Sequence, residues 1–280
     1  MILLVALCAP AFLVPTTLAP RAAVAATPLV RAPALNMAVD YPHATVTASP
    51  LIRAPALNMA VDYPQIAKYP VATAGQVALI AAVFKGIDSL VTLPTFCVPP
   101  IFLFLSLRSR VFSFLPAQRP NRAEQDGNAT PAEIKRPSWT PPGIAFPFIW
   151  LTISCLRAAS STLIWRSTGR YLFSLPLLAL VLHLCVGDTW NCVTNVERRM
   201  GTSALGVIAV LASVYTAVGV YYKTRPLAGL LLAPSACWIS IATVLTWRIW
   251  QLNGCDPLLP QKGDGKAAPL RLPLSNLMEA

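Results

Sequence analysis

The chain has 280 residues, of which 55% are hydrophobic and only 12% charged, with a mean hydropathy of +0.59. Soluble domains carry about a quarter charged residues, so this composition argues against a water-soluble globule and supplies several apolar spans of about 20 residues each. The formal charge of +11 is scattered between apolar runs rather than gathered into a basic stripe, which argues against nucleic acid as a partner.

In chain order, residues 1–26 have the make-up of a targeting leader. Met1 to Ala19 is a short apolar stretch broken by Pro10 and Pro15, too interrupted for a span and suited to a signal core. Pro20 to Val39 then carry Arg21, Arg31 and many alanines, and the first acid is Asp40. This pattern resembles a bipartite plastid-targeting leader. A plastid membrane is therefore the expected location, with the ER or mitochondrial membrane as alternatives.

Residues 27–74 form a Pro/Ala-rich duplicated segment. Pro28 to Pro42 (PLVRAPALNMAVDYP) and Pro50 to Pro64 (PLIRAPALNMAVDYP) differ only at Val30 and Ile52. Two copies cannot stack into a solenoid, which needs about three, and the prolines break regular structure. The segment is expected to be a linker, and a chain starting near Ala72 is expected to insert without it.

Residues 75–253 are predicted to be a membrane domain, and residues 254–280, with Pro257, Pro260, Gly263 and Gly265, a disordered tail. The run from Gln76 to Leu107 is interrupted by Lys85, Asp88, Pro94 and Pro99-Pro100. A continuous helix of that length would be about 48 Å, against a hydrocarbon core of about 30 Å, so a broken first span centred on Val91 to Leu107 is expected. Pro142 to Trp165, Tyr171 to Val196, Thr202 to Tyr222 and Leu227 to Trp250 complete the spans. The expected fold is an all-α membrane protein, a five-transmembrane-helix bundle. Arg108, Arg110, Arg119, Arg122, Lys135, Arg136, Arg198 and Arg199 fall on one side, against Arg166, Arg170, Lys223 and Arg225 on the other. The first side, shared by the C-terminus, is therefore expected to be cis, the cytosolic or stromal face.

All seven tryptophans lie between residues 139 and 250. Interfacial anchoring accounts for some of them, including Trp165 at the trans end of its span. It does not account for the pattern as a whole, Arg136-Pro137-Ser138-Trp139-Thr140-Pro141-Pro142 followed by Phe146, Trp150 and Leu163-Ile164-Trp165. This pattern resembles the signature of the translocator protein, or tryptophan-rich sensory protein (TspO/MBR), family. Trp190 followed by Arg198-Arg199 and Gly201 is similar to a second family segment. Pro234 to Trp238, Ala242, Leu245, Ile249-Trp250 and Leu252-Asn253 are similar to a third. Ile144, Pro147, Phe148, Ser154, Gly187, Thr194-Asn195 and Thr246 depart from the pattern.

The resemblance implies a membrane protein that binds a tetrapyrrole such as a porphyrin, or a sterol-like molecule, and senses, sequesters or translocates it. Trp139, Phe146, Trp150, Trp190, Trp238, Ala242 and Leu245 are the implied ligand-binding residues. Flat indole walls suit a large planar ligand; helix packing is the structural alternative for each ring. No resident cofactor is required beyond such a porphyrin or haem-like ligand. The partners are the lipid bilayer and that small molecule, and a homodimer is an open assembly.

Intramembrane charge is the other signal, because unpaired ions there are costly. From the trans face, Arg157 lies about 13 Å deep, His183 about 18 Å and Asp188 about 25 Å by helical rise. Arg157 should reach His183 more easily than Asp188, while Arg248 matches Asp188 in depth. His183 as an axial haem ligand is an alternative to hydrogen-bonded packing. No metal site and no nucleophile–base–orienter set is visible, so the chain is not expected to be an enzyme. Oxidative degradation of a bound porphyrin and a scaffold that has lost its pocket are the competing readings.

Overall fold

In the computed structural model, which describes residues 60–117 and 134–278, six long helical segments dominate. They are α1 (Tyr63–Leu90), α2 (Val98–Arg108), α3 (Ala145–Ser167), α4 (Leu175–Asn195), α5 (Met200–Thr224) and α6 (Pro226–Leu252); α7 (Ser275–Met278) is a single turn. Turns of 3-10 helix, Thr95–Cys97 and Ser109–Phe112, extend α2 at both ends. The described residues contain no strand, only an isolated bridge between Val61 and Gln261. The all-α class follows from composition as expected, and the last four spans lie within a few residues of their predicted limits.

The count of five does not hold. Six helical segments among the described residues are long and apolar enough to cross a membrane, including Tyr63–Leu90 and Thr95–Phe112. The stretch expected to be one broken span is two helices joined by a reversal at residues 91–94. Phe84 meets Phe102 edge-to-face at 6.0 Å, whereas 18 residues of continuous helix would separate them by about 27 Å. Val91 is extended and Pro94 disfavours helix in the residue before it; Pro99 and Pro100 then stand where α2 starts and their missing N–H groups cost nothing.

The prolines of the duplicated segment misled for the same positional reason. Pro64 is in the first turn of α1, whose N-cap is Asp62, with its carboxylate accepting from the Gln65 N–H at 3.1 Å. Pro70 lies inside the helix without ending it, as membrane helices allow where neighbouring groups take up the freed backbone. The Thr73 hydroxyl donates to the Tyr69 carbonyl beside it at 2.9 Å. Gln65, Ala72, Thr73, Gln76, Ile80 and Phe84 form its single buried face. Residues 1–59, with the leader and most of the duplication, lie outside the described residues.

Around the bundle the packing order is α1, α4, α5, α6, α3 and α2, and the Phe84–Phe102 contact closes the ring. One apolar core joins α1–α4 through Phe84, Phe102, Trp165, Leu180 and Tyr221 of α5. A second lies nearer the α4–α5 turn, around Ile153, Val210, Trp238 and Ile239.

The tail expected to be disordered is packed. Gly254, Gly263 and Gly265 adopt positive φ, so the glycines that suggested disorder are turn residues here. Between and beyond those turns the chain bonds to other segments: Lys262 N–H to the Ala60 carbonyl ahead of α1, Arg271 N–H to Phe114 and Leu274 N–H to Val111, each at 2.9 Å. The Asn276 amide donates to the carbonyls of Arg110 at 3.0 Å and Leu115 at 3.2 Å. At the start of α5, a Cβ on Gly201 would sit 2.3 Å from the Pro257 carbonyl oxygen. Gly201→Ala is therefore expected to displace the tail. Faster protease cleavage after Asn253, together with a lower melting temperature in detergent, would be its signature.

Candidate ligand site

A cavity of about 210 Å³ lies inside the half of the bundle nearer the α4–α5 turn, bounded by α2, α3, α4, α5 and α6. Helical periodicity assembles it. Trp150, Ser154 and Arg157 follow at i, i+4 and i+7 on α3, and His183, Gly187 and Trp190 repeat that spacing on α4, so each trio shares a face. Ser106 and Arg110 close the α2 side, and Val210 and Ile239 close the rest. Gly187 carries no side chain and leaves space between His183 and Trp190.

Arg157 is 3% exposed. Its Nη2 donates to His183 Nε2 at 2.9 Å and its Nε to the Ser235 hydroxyl at 3.3 Å. A guanidinium can only donate, so Nε2 of His183 is the acceptor and its proton sits on Nδ1. That Nδ1–H donates to Ser213 Oγ at 3.0 Å, and the Ser213 hydroxyl donates to the Val210 carbonyl at 2.8 Å. His183 is thus a neutral imidazole with both nitrogens engaged, which leaves none to ligate haem iron. The depth argument that joined Arg157 to His183 holds.

Its companion, pairing Asp188 with Arg248, does not. Asp188 is paired with Arg110 at 3.6 Å and accepts from Gln76 Nε2 at 2.9 Å. Arg248 is exposed and donates to Gln251 at 2.8 Å. Depth along a helix was right, but Arg248 points away from the bundle axis. Gln76 and Arg110 were not singled out from sequence. A signal was available for Gln76, since Gln65, Tyr69, Thr73 and Gln76 make a polar stripe at helical spacing on α1.

Of the expected ligand-binding residues, Trp150 and Trp190 line the cavity, as do Arg157, His183 and Asp188. The Trp190 indole N–H donates to the Ser203 carbonyl at 3.0 Å, fixing its ring against α5. Phe146 and Trp238 meet edge-to-face at 5.8 Å, in the same core cluster as Trp150 and Trp190. Ala242 and Leu245 continue α6 without lining the cavity. Trp139 is 47% exposed in a turn ahead of α3, so it does not join Trp190 and Trp238. Trp165, expected to anchor at the interface, is fully buried in the first core cluster. It stands two residues before the end of α3, but its side chain is directed inward.

A model of the TspO/MBR family matches residues 112–251, half of the chain. The chain belongs to the TspO/MBR family. It is similar to translocator protein 2 of Mus musculus, 24% identical over 164 residues that cover 58% of this chain and 97% of that protein. Protein CrtK of Rhodobacter capsulatus is 27% identical over 124 residues (43% of this chain, 76% of CrtK). The translocator protein of Homo sapiens is 26% identical over 124 residues (44% and 73%). The TspO/MBR match begins at Phe112, so α1 and α2 lie ahead of it.

Two TspO/MBR-like motif residues now have physical roles. Asn253, ending the last motif, receives the Lys135 N–H at 3.0 Å and donates back to its carbonyl at 2.8 Å. It thereby ties the end of α6 to the start of the first motif. Gly201 is required by the close approach of the Pro257 backbone.

Proposed function

We propose that this membrane protein binds a tetrapyrrole, and that it senses, sequesters or moves that ligand rather than transforming it. The observation that carries the reading is one intramembrane cavity with the indoles of Trp150 and Trp190 on its walls and Arg157, His183 and Asp188 beside them. Aromatic faces receive a flat apolar ring, and a few convergent polar groups orient it. The family relationship supports the broader part of this reading, a membrane protein that senses, binds or moves a ligand, since its named members include translocator proteins and a tryptophan-rich protein TspO of Bacillus cereus.

Volume sets a condition on the pose. Sites for drug-sized ligands run to about 300–1,000 Å³, and this one holds about 210 Å³. One edge of a macrocycle fits, while the remainder extends out of the cavity or requires the surrounding helices to separate.

Titration of the purified protein with protoporphyrin IX, followed by tryptophan quenching, tests the reading. Loss of one stacking ring costs about 1–3 kcal/mol, so Trp190→Ala is expected to weaken binding about 5- to 150-fold at unchanged helicity. Trp139→Ala, outside the cavity, is expected to change little. A folded wild-type protein with no saturable quenching would end the proposal. Porphyrin breakdown products appearing in light or in darkness would shift it to the degradative alternative.

A further inference from the structure

The charges facing the cavity do not cancel. Asp188 is held by Arg110 at 3.6 Å, so that pair is balanced. Arg157 lies on the same cavity, but its two hydrogen-bond partners, His183 and Ser235, are both neutral. Among the described residues no carboxylate comes within 4.0 Å of it. The cavity therefore carries one positive charge in excess, since the single carboxylate of Asp188, out of hydrogen-bond reach of Arg157 but acting on it electrostatically, is shared between two guanidiniums at a depth where charge is costly. A guanidinium has five N–H donors, and two hydrogen bonds leave three of them unused.

A second, independent feature points the same way. The hydroxyl of Ser154, 1% exposed, lines the cavity and has no hydrogen-bond partner. It stands three residues before Arg157 on the same face of α3, and Trp150 stands four residues before that. Moving inward from the end nearer the α4–α5 turn, a ligand meets an indole wall, then a free hydroxyl, then a cation with donors to spare.

We infer that this cavity selects ligands bearing a carboxylate, which enters first and is received by Arg157 with Ser154 as a second donor. The apolar body then lies against Trp150 and Trp190, nearer the α4–α5 turn. This rests on the cavity being the ligand site but not on the ligand being a tetrapyrrole. A carboxylate satisfies the unused N–H groups in a fork that a neutral ester cannot match. It also neutralises the excess charge.

The test compares each acid with its own ester on the full chain in lipid nanodiscs. One pair is protoporphyrin IX and its dimethyl ester, read by tryptophan quenching. The other is dansylaminoundecanoic acid and its methyl ester, read by dansyl emission. The wild type is expected to prefer the acid about tenfold or more in any pair that binds. Arg157→Gln is expected to bring acid and ester to within about threefold of each other by weakening the acid alone, and Arg157→Lys, which keeps the charge but not the fork, to fall between. Equal affinity of the wild type for acid and ester overturns the inference without recourse to any variant, and leaves the tetrapyrrole reading intact if both porphyrins bind. Acid-selective binding of the alkyl pair with no porphyrin binding supports the inference and removes the tetrapyrrole reading. Absence of binding in both pairs overturns both.

Discussion

Replacing Glu197 with alanine is expected to release α1 and the C-terminal segment from the bundle together. Glu197 sits in the turn between α4 and α5 with its side chain fully buried. It accepts from Gln65 Nε2 at 2.7 Å and Lys68 Nζ at 3.3 Å, and from the Tyr69 hydroxyl. It also accepts from Arg199 Nε at 3.1 Å and from the Ala268 N–H at 3.1 Å. Arg199 in turn grips Asp264, and Lys68 bonds the Ala268 carbonyl. One carboxylate therefore joins the first helix, the α4–α5 turn and the tail. Removing one member of a buried ion pair costs about 3–5 kcal/mol, because its partners stay buried and uncompensated. Glu197→Gln, which keeps the shape and one acceptor oxygen, is expected to lose less. Limited proteolysis in detergent reads the outcome: new cleavage both ahead of Ala72 and after Asn253 in the alanine variant. Unchanged protection at both places would mean that the apolar seam of α1 suffices. A chain starting near Ala72 would lack Gln65, Lys68 and Tyr69, so it is expected to share this defect rather than insert intact.

Trp165→Ala is expected to be the most damaging single truncation in the apolar core. The indole is fully buried among residues of α1–α6, and the Arg170 guanidinium lies 5.9 Å from its ring centre. In water such a truncation costs about 3–5 kcal/mol, part transfer and part cavity. In a bilayer the transfer part largely vanishes because lipid is as apolar as the core, so the lower end, about 3 kcal/mol, is expected. Trp165→Phe should recover more than half of that by filling most of the space, and because the indole N–H has no partner to lose. Thermal unfolding of the purified variants provides the measure. A melting temperature for Trp165→Ala equal to that of the wild type would restore the interfacial-anchor role that its position in the sequence suggested.

The candidate site divides along similar lines. Arg157 and His183 could be joined from sequence because both lie on well-bounded helices, where residue number converts to depth at about 1.5 Å per residue. Asp188 could not be assigned its partner in that way. Arg248 and Arg110 both stand near the same face, and the choice between them turns on rotation about the helix axis and on which helices are neighbours. The same missing information placed Trp139 in the pocket and Trp165 at the surface, whereas Trp139 is half-exposed ahead of α3 and Trp165 is buried in the first core cluster.

The sequence alone determined the membrane class, the limits of α3 to α6 and the family, because apolar run length and local motif spacing are properties of consecutive residues. Only the tertiary structure decided that residues 63–112 fold back as two helices, since a proline has opposite meanings at a helix start and in its interior, and neighbours settle which applies. Only it showed that the segment after Asn253 is packed, because Pro- and Gly-rich chain is turn or coil according to whether distant partners such as Glu197 and Lys68 satisfy its backbone. Those partners are more than sixty residues away along the chain, beyond the reach of any local pattern.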